Sequence, residues 1–420
     1  MNVVLSDVNS WKKKLDITVP AADLDKKSSA KLTNYQKTAK IDGFRKGKAP
    51  KSLIEKRYGD SIKAEAIDDI IDENVKAAII EHKLDIVAQA KVVRIDFNDD
   101  KDLEFTAEVE VYPEVVLGEY LNLKVEKDVY PVTDKEVDET IEKLQQEAAE
   151  VKETEKPAEE GSLVRGTVQE MDESGVPVIG KKWEGQVFEL GRMPITGDSM
   201  NQLLGVKKGD ERPFTMQVPK KDGSPETLQL AMAVETVFEK KLPELDAEFV
   251  KRFGEFESVE TFRKHVKERL TAENEKQSNT MLENRLIDEI IKKNDFELPP
   301  SLIETGLDNL WEDYTEQQRA SIDEAEFRER QKPAVEWNLK WYLLRDKIIE
   351  KENIEVTDAD IEEYIGTIEE ISAEEAAKFR RQIKSKASRE RFERDLTVHK
   401  AMEFLKEHSK IKEIKKKNTK

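Results

Sequence analysis

The chain has 420 residues, 38% charged and 37% hydrophobic, with 90 carboxylates against 71 Lys and Arg and a formal net charge of −19. That length predicts two to four domains with a sizeable buried core in total, and so polar a composition predicts an elongated or heavily solvated surface. Without cysteine there is no disulfide, thiolate zinc site or thiol nucleophile, and the four scattered histidines lack the i, i+4 partner of a helical metal site.

No stretch approaches the ~18 consecutive apolar residues of a membrane span, and the N-terminus has no apolar run behind a basic flank. A cytoplasmic protein without membrane contact, metal or cofactor is expected. Residues 1–20 alternate as strands do: Val3, Leu5 and Val8, then Leu15, Ile17 and Val19, ending at Pro20. A Lys-rich stretch follows, with Leu24, Ala30, Leu32 and Tyr35 in a loosely helical pattern. Farther on, Leu53, Ile54, Ile62, Ala66, Ile67, Ile70, Ile71 and Val75 recur at three- and four-residue spacing, an amphipathic helix. Asp85 to Val93 and Asp96 to Val111 alternate again. Strand, helices and strands predict a compact α+β domain over 1–112.

Between the two helical stretches stands Gly43-Phe44-Arg45-Lys46-Gly47-Lys48-Ala49-Pro50. Two glycines and a closing proline predict a tight exposed loop at the tip of two helical arms. Phe44 is an aromatic that such a tip has no packing reason to expose. Twelve basic residues lie between Lys26 and Lys63 against only Asp42, Glu55 and Asp60. A basic island on an acidic chain reads as an address for a polyanion, or as a solvated helix face beside a Gly-Lys turn. It is not a phosphate-cradling P-loop: three residues rather than four separate the glycines, and Ala49 follows Lys48 where Ser or Thr is needed.

The octapeptide resembles the Gly-Phe-Arg-x-Gly-Lys-x-Pro signature of trigger factor, the bacterial ribosome-associated chaperone family. The resemblance implies that Gly43, Phe44, Arg45, Lys46, Gly47, Lys48 and Pro50 dock on a protein and rRNA of the large ribosomal subunit, beside the nascent-chain exit tunnel.

Pro113 and Val115-Val116-Leu117-Gly118 read as a connector. Val132-Thr133-Asp134-Lys135-Glu136 opens a helix with Val137, Ile141, Leu144, Ala148 and Val151 on one stripe, and Val356-Thr357-Asp358-Ala359-Asp360 opens another. Both starts have a Thr N-cap and an acid three residues on; they read as a remote repeat or as two well-capped helices. The acidic stretch around Pro157 marks a boundary.

From Gly161 to Leu242 short strands alternate with glycines: Leu163 to Val168, Val187 to Leu190, Pro213 to Val218 and Leu228 to Phe238. A small antiparallel β domain is predicted, inserted between helical segments. Gly191-Arg192-Met193, a short helix from Met200 and Gly205-Val206-Lys207-Lys208-Gly209-Asp210 resemble the FKBP-type prolyl isomerase domain of trigger factors. The family's Ile-Pro-Gly-Phe-Glu is nearest to Thr196-Gly197-Asp198-Ser199-Met200 here, with Ser199 nearest the pocket Phe. Its first-strand Asp-Phe or Asp-Tyr is replaced by Arg165-Gly166-Thr167, and the flap Tyr is absent from Pro219 to Gly223. A remnant isomerase pocket of Trp183, Phe188, Met193, Phe214 and Phe238 is one reading; aromatics packed inward as core is the other.

From Pro243 onward the chain reads as helical, with a basic, disordered tail over Lys410 to Lys420. The division predicted is 1–112, a connector over 113–150, an inserted domain over 151–242 and a helical body with arms over 243–420. The carboxylates of that body are spaced for i, i+4 pairing, not catalysis. What it offers is apolar surface amid charge, suited to weak binding of unfolded chains. The resemblance implies a chaperone that holds nascent polypeptides open and assists folding and export, with a homodimer off the ribosome left open. The rival readings are an active peptidyl-prolyl isomerase and an RNA-binding protein using 26–63. The departures in the pocket argue against the first, and the lack of dispersed stacking aromatics against the second.

Overall fold

The computed structural model describes residues 2–42, 44–97, 102–172, 174–219 and 225–416. It divides into two units, each discontinuous in sequence: Met1–Lys127 with Thr280–Glu413, and Asp128–Asn279 with Ile414–Lys420.

In the first unit, strands β1 (Asn2–Asp7), β2 (Lys12–Val19), β3 (Lys91–Asp96) and β4 (Leu103–Glu110) form an antiparallel sheet in the order β1-β2-β4-β3. Period-two alternation puts Leu15, Ile17 and Val19 opposite Ala107, Phe105 and Leu103, all on one face. That face packs on Ala66, Ile70, Val75 and Ala78 of the long helix α2 (Lys51–Glu81). Helix α1 (Ala21–Thr38) runs beside α2, and Leu24 is its one fully buried residue. Val8, predicted on a strand, sits in the turn after β1 and is exposed.

The connector is not a free linker. Val115, Tyr120 and Leu123 are buried among Leu286 and Ile290 of α6 (Val259–Lys293), Leu344 and Ile348 of α9 (Glu324–Glu352), and Leu405 of α12 (Lys386–Glu407). Helix α7 (Pro300–Glu312) starts on a proline, where the missing N–H costs nothing. It crosses α9 so closely that a Cβ at Gly306 would lie 2.6 Å from Val335 Cγ1. A single turn, α8 (Glu316–Arg319), links them. Helices α10 (Asp358–Ile371), α11 (Ala373–Gln382) and α12 close on Ile361, Ile365, Ala376 and Leu396.

The C-terminal tail differs from expectation. Lys410–Lys415 is a strand, β11, paired with β5 (Lys124–Val129), and Lys410 N–H donates to Leu123 O at 2.7 Å. Lys416 Nζ lies 2.9 Å from the buried carboxylate of Asp128. The lysine count hid two β-branched residues, Ile411 and Ile414, in a segment that forms a paired strand. Residues 417–420 lie outside the described residues.

In the second unit, α3 (Asp134–Glu147) opens on the predicted capping box of Thr133 and Glu136. Its Val137 and Ile141 pack on Phe249 and Val250 of α5 (Ala247–Val250) and on Phe262 and Val266 of α6. Val151, predicted on the same helical stripe, is instead in strand β6 (Glu150–Thr154). The β domain is wholly antiparallel. Its long strand β10 (Pro225–Lys241) pairs with β7 (Leu163–Met171) along one edge and with β9 (Glu211–Pro219) and β6 along the other. Strand β8 (Pro177–Glu189) lies outside β7. One short helix, α4 (Asp198–Leu203), connects β8 to β9. The architecture is multidomain α+β: an N-terminal α+β region, an antiparallel β domain and a helical C-terminal body.

Candidate functional sites: a basic helical tip and a hollow on the β domain

The octapeptide lies between α1 and α2, as its glycines and proline predict. Gly43 lies outside the described residues. Lys48 N–H closes a turn onto Arg45 O at 2.9 Å, with Gly47 at a φ of 80°, a conformation that favours glycine at the third position of a tight turn. Phe44 N–H donates to Ile41 O at 3.1 Å, and Gln36 Nε2 reaches Ala49 O at 2.7 Å. Beneath the loop Ile41, Ala49, Ile54 and Ile62 form a small core of their own. The tip is therefore a folded element. It leaves Phe44 44% exposed and Arg45, Lys46 and Lys48 pointing into solvent, none in an ion pair among the described residues.

Toward the sheet the arms are held by a ladder that the sequence reading missed. Lys27, Lys31 and Tyr35, four apart on α1, meet Glu73, Asp69 and Glu65, four apart on α2. Lys27 Nζ is 2.5 Å from Glu73, Lys31 Nζ is 2.8 Å from Asp69, and Tyr35 donates to Glu65. The hydrogen bond from Lys31 holds the Asp69 carboxyl below its ordinary range, and the same bond raises the Lys31 amine. The hydrogen bond to Glu65 pushes the Tyr35 phenol up. Matching i, i+4 spacing on antiparallel helices was the available signal.

The residues singled out on the β domain do not converge. A hollow of about 240 Å³ is lined by Val168 of β7, Trp183, Gln186 and Phe188 of β8, Met216 of β9, and Leu228 and Leu230 of β10. Of the five predicted, only Trp183 and Phe188 line it. Phe214 is buried in the core behind, its ring 6.1 Å from Phe188 and edge-on. Phe238 follows the core residue Val237 on β10 and so falls on the opposite face. Met193 is 76% exposed and lines nothing here. Trp183, for which core packing was the other reading, is 42% exposed. Breaks in register between β7 and β8, with Gly180 and Gly185 at positive φ, rotate this stretch out of simple alternation. Parity along β9 and β10 could have found Met216, Leu228 and Leu230; nothing in the sequence singles out Gln186.

Ser199 and Asp198 do not line this hollow. The Ser199 hydroxyl donates to Thr215 O, Gln202 Oε1 accepts from Thr215 N–H at 2.7 Å, and Asp198 faces solvent. These bonds tie α4 to β9. At Gly166, within the tripeptide Arg165-Gly166-Thr167, a Cβ would lie 2.2 Å from Ala233 O. The backbones of β7 and β10 are too close there for any side chain.

Comparison with known proteins decides the family. The bacterial trigger factor protein profile matches residues 1–144, and the profile of the bacterial trigger factor C-terminus matches 258–407. The chain belongs to the trigger factor family. It is 28% identical over 437 residues to the trigger factor of Geotalea daltonii, with 99% of each chain covered. To that of Desulfatibacillum aliphaticivorans it is 26% identical over 430 residues, covering 99% of this chain and 98% of the relative. To that of Geobacter metallireducens it is 29% identical over 385 residues, 88% of each. A solved trigger factor chaperone, described for promiscuous substrate recognition in folding and assembly, shares the fold. Its TM-score is 0.51 at 20% identity, over 96% of this chain and 99% of that one. Like its trigger factor relatives, this chain is a chaperone of protein folding. Among the described residues no helix is long and apolar enough to cross a membrane.

Proposed function

We propose that this trigger factor docks on the large ribosomal subunit beside the nascent-chain exit tunnel and holds emerging polypeptides open, assisting folding and export from the cytoplasm. Its docking residues are Phe44, Arg45, Lys46, Gly47, Lys48 and Pro50, with Gly43. The observation that carries the reading is an exposed phenylalanine amid cations that have no ion-pair partner among the described residues, on a tip with its own small core. A surface of that kind has no role in folding the domain that bears it. It combines an apolar anchor with charge for a polyanion. The division of labour is 1–112 for docking, 113–150 as helical connector, 151–242 as an FKBP-like domain and 243–420 for clients.

Co-sedimentation with vacant bacterial ribosomes tests the docking. Replacing Phe44, Arg45 and Lys46 together by Ala should abolish it while the circular dichroism spectrum stays unchanged. Undiminished co-sedimentation of the triple variant overturns the assignment.

The hollow supports a secondary activity, slow prolyl isomerisation. That reaction needs no nucleophile, only an apolar cup that desolvates the X–Pro amide and lowers a barrier of about 18–20 kcal/mol. Trp183 and Phe188 supply part of such a cup, and Gln186 is the polar group on its wall.

A further inference from the structure

Strand β8 does not run evenly along β7. Two breaks in register leave Lys182 and Trp183 paired with Gln169 and Val168 as a short stretch of their own. On one side of it Glu184 and Gly185 stand against Thr167 alone. On the other, Val178 to Lys181 stand against Glu170 alone. Gly185 at a φ of 66° and Gly180 at 83° sit in the two bulges. Because β8 is the outermost strand, the carbonyls of 178–181 have no second strand to pair with. Trp183 therefore lines the hollow from a piece of chain with little backbone support.

A side chain takes the place of the missing ladder. Gln169 Nε2 donates to Val178 O at 2.8 Å and to Lys181 O at 3.0 Å, with Glu170 O also at 3.0 Å. Beside it Lys181 Nζ lies 2.8 Å from Glu170 Oε1, and that glutamate side chain is largely covered. Ile179, between the two gripped carbonyls, is 99% exposed and adds no packing to hold the bulge. The grip is polar, and it ends two residues before the indole.

The Trp183 ring stands on the hollow with Val168, Gln186 and Phe188, and Gln169 itself does not line it. A half-exposed ring has too few contacts to fix its own direction, so the chain beneath it must do so. An apolar cup acts on the X–Pro amide by placement, and a wall displaced by about 1 Å loses much of that action. We propose that Gln169 is a positioning residue of the hollow: by holding Val178 and Lys181 it fixes the bend of β8 that sets Trp183 against the proline. This rests on the isomerase reading given above.

The test compares the full chain as parent, Gln169→Met, Trp183→Ala and the double variant. Two readouts are taken, turnover of a short X–Pro peptide and the indole N–H NMR spectrum. Met keeps the length of the side chain and removes its donors. Gln169→Met should lower kcat/KM roughly fivefold, a part of the loss from Trp183→Ala. Because Gln169 acts through Trp183, the double variant should be no slower than Trp183→Ala. The Trp183 indole signal, identified by its loss in Trp183→Ala, should shift or broaden in Gln169→Met. Losses that multiply in the double variant would leave Gln169 a stabiliser of the domain, and an unmoved indole signal would leave the ring held by something else; either overturns the proposal. A parent without turnover overturns the isomerase reading instead, and the indole signal alone then decides the positioning. Should Gln169→Met fail to fold, Gln169→Asn, too short to reach both carbonyls, takes its place with the same expectations.

Discussion

Phe44 and Trp183 are exposed to almost the same degree, 44% and 42%, yet the surfaces around them differ in kind. Beside Phe44 no cation is in an ion pair among the described residues. Beside Trp183 the cations are paired, Lys181 with Glu170 at 2.8 Å and Lys182 with Glu184 at 3.3 Å. The tip is convex, stands on a core of a few residues close in sequence and presents charge with its aromatic. The hollow is concave, nearly neutral and built from four strands. An exposed aromatic thus has no single meaning: the pairing state of its neighbours separates a polyanion address from an apolar cup.

The comparison breaks most sharply if the β domain accepts an aromatic where β7 and β10 approach most closely. Gly166→Phe should fail. Its Cβ would stand 2.2 Å from Ala233 O, a backbone atom that cannot rotate away. The β domain should lose about 3 kcal/mol or more by overpacking and weakened pairing between β7 and β10. Urea unfolding followed through Trp183 fluorescence measures this. A variant as stable as the parent would show that the two strands separate easily.

At the tip the contrast is between its core and its contact residue. Ile54 is fully buried, so Ile54→Ala should cost about 3 kcal/mol of local stability. Phe44→Ala, at an exposed position, should change stability by no more than about 0.5 kcal/mol while removing the apolar anchor. Thermal melts of both variants decide it. A large loss from Phe44→Ala would make that ring a packing residue.

Much of this was legible in the sequence because the signals are local. The octapeptide carries its own turn chemistry, Thr133 and Thr357 cap the helices they announce, and the alternation of Leu15, Ile17 and Val19 matches that of Leu103 and Phe105. What was missed depends on partners far away in the chain. Strand β11 pairs with β5 almost three hundred residues earlier, so its lysines read as a loose tail. Trp183 lies where bulges break the parity that places side chains, so inward packing was a fair but mistaken inference. Ser199 took a backbone carbonyl as partner, and no spacing rule announces that.

The hollow itself is sharpened by Trp183→Ala. The indole is half in water, so stability should fall by about 1 kcal/mol. If a similar share of its contact acts on the twisted X–Pro amide, turnover of a short X–Pro peptide should drop about tenfold from an already low level. A protease-coupled assay reads this directly. Unaltered turnover would place any isomerase activity elsewhere, and parent turnover equal to that of an intact FKBP domain would show the departures from the family's pocket motifs to be inconsequential.

The smallest effect separates the base of the arms from their tip. Asp69 has its carboxyl lowered from an ordinary value of 3.8 by the hydrogen bond from Lys31. A lowered folded value means that its contribution is present above about pH 3.8 and fades as pH falls through the folded value. Lys31 has the opposite sign: raised from 10.5, its contribution is present below that pH and is lost as pH rises through the folded value. Across the neutral range both are in place. Because Asp69 is 44% exposed, water and salt screen the pair and its effect on overall stability is small. It is still visible residue by residue. Titration of the Asp69 carboxyl carbon by NMR should give a midpoint below 3.8 that returns to the ordinary value in Lys31→Met, and ribosome affinity at pH 7 should be the same in both proteins. A midpoint unmoved by Lys31→Met would remove the rung from the ladder, and a loss of affinity would put Lys31 on the docking surface after all.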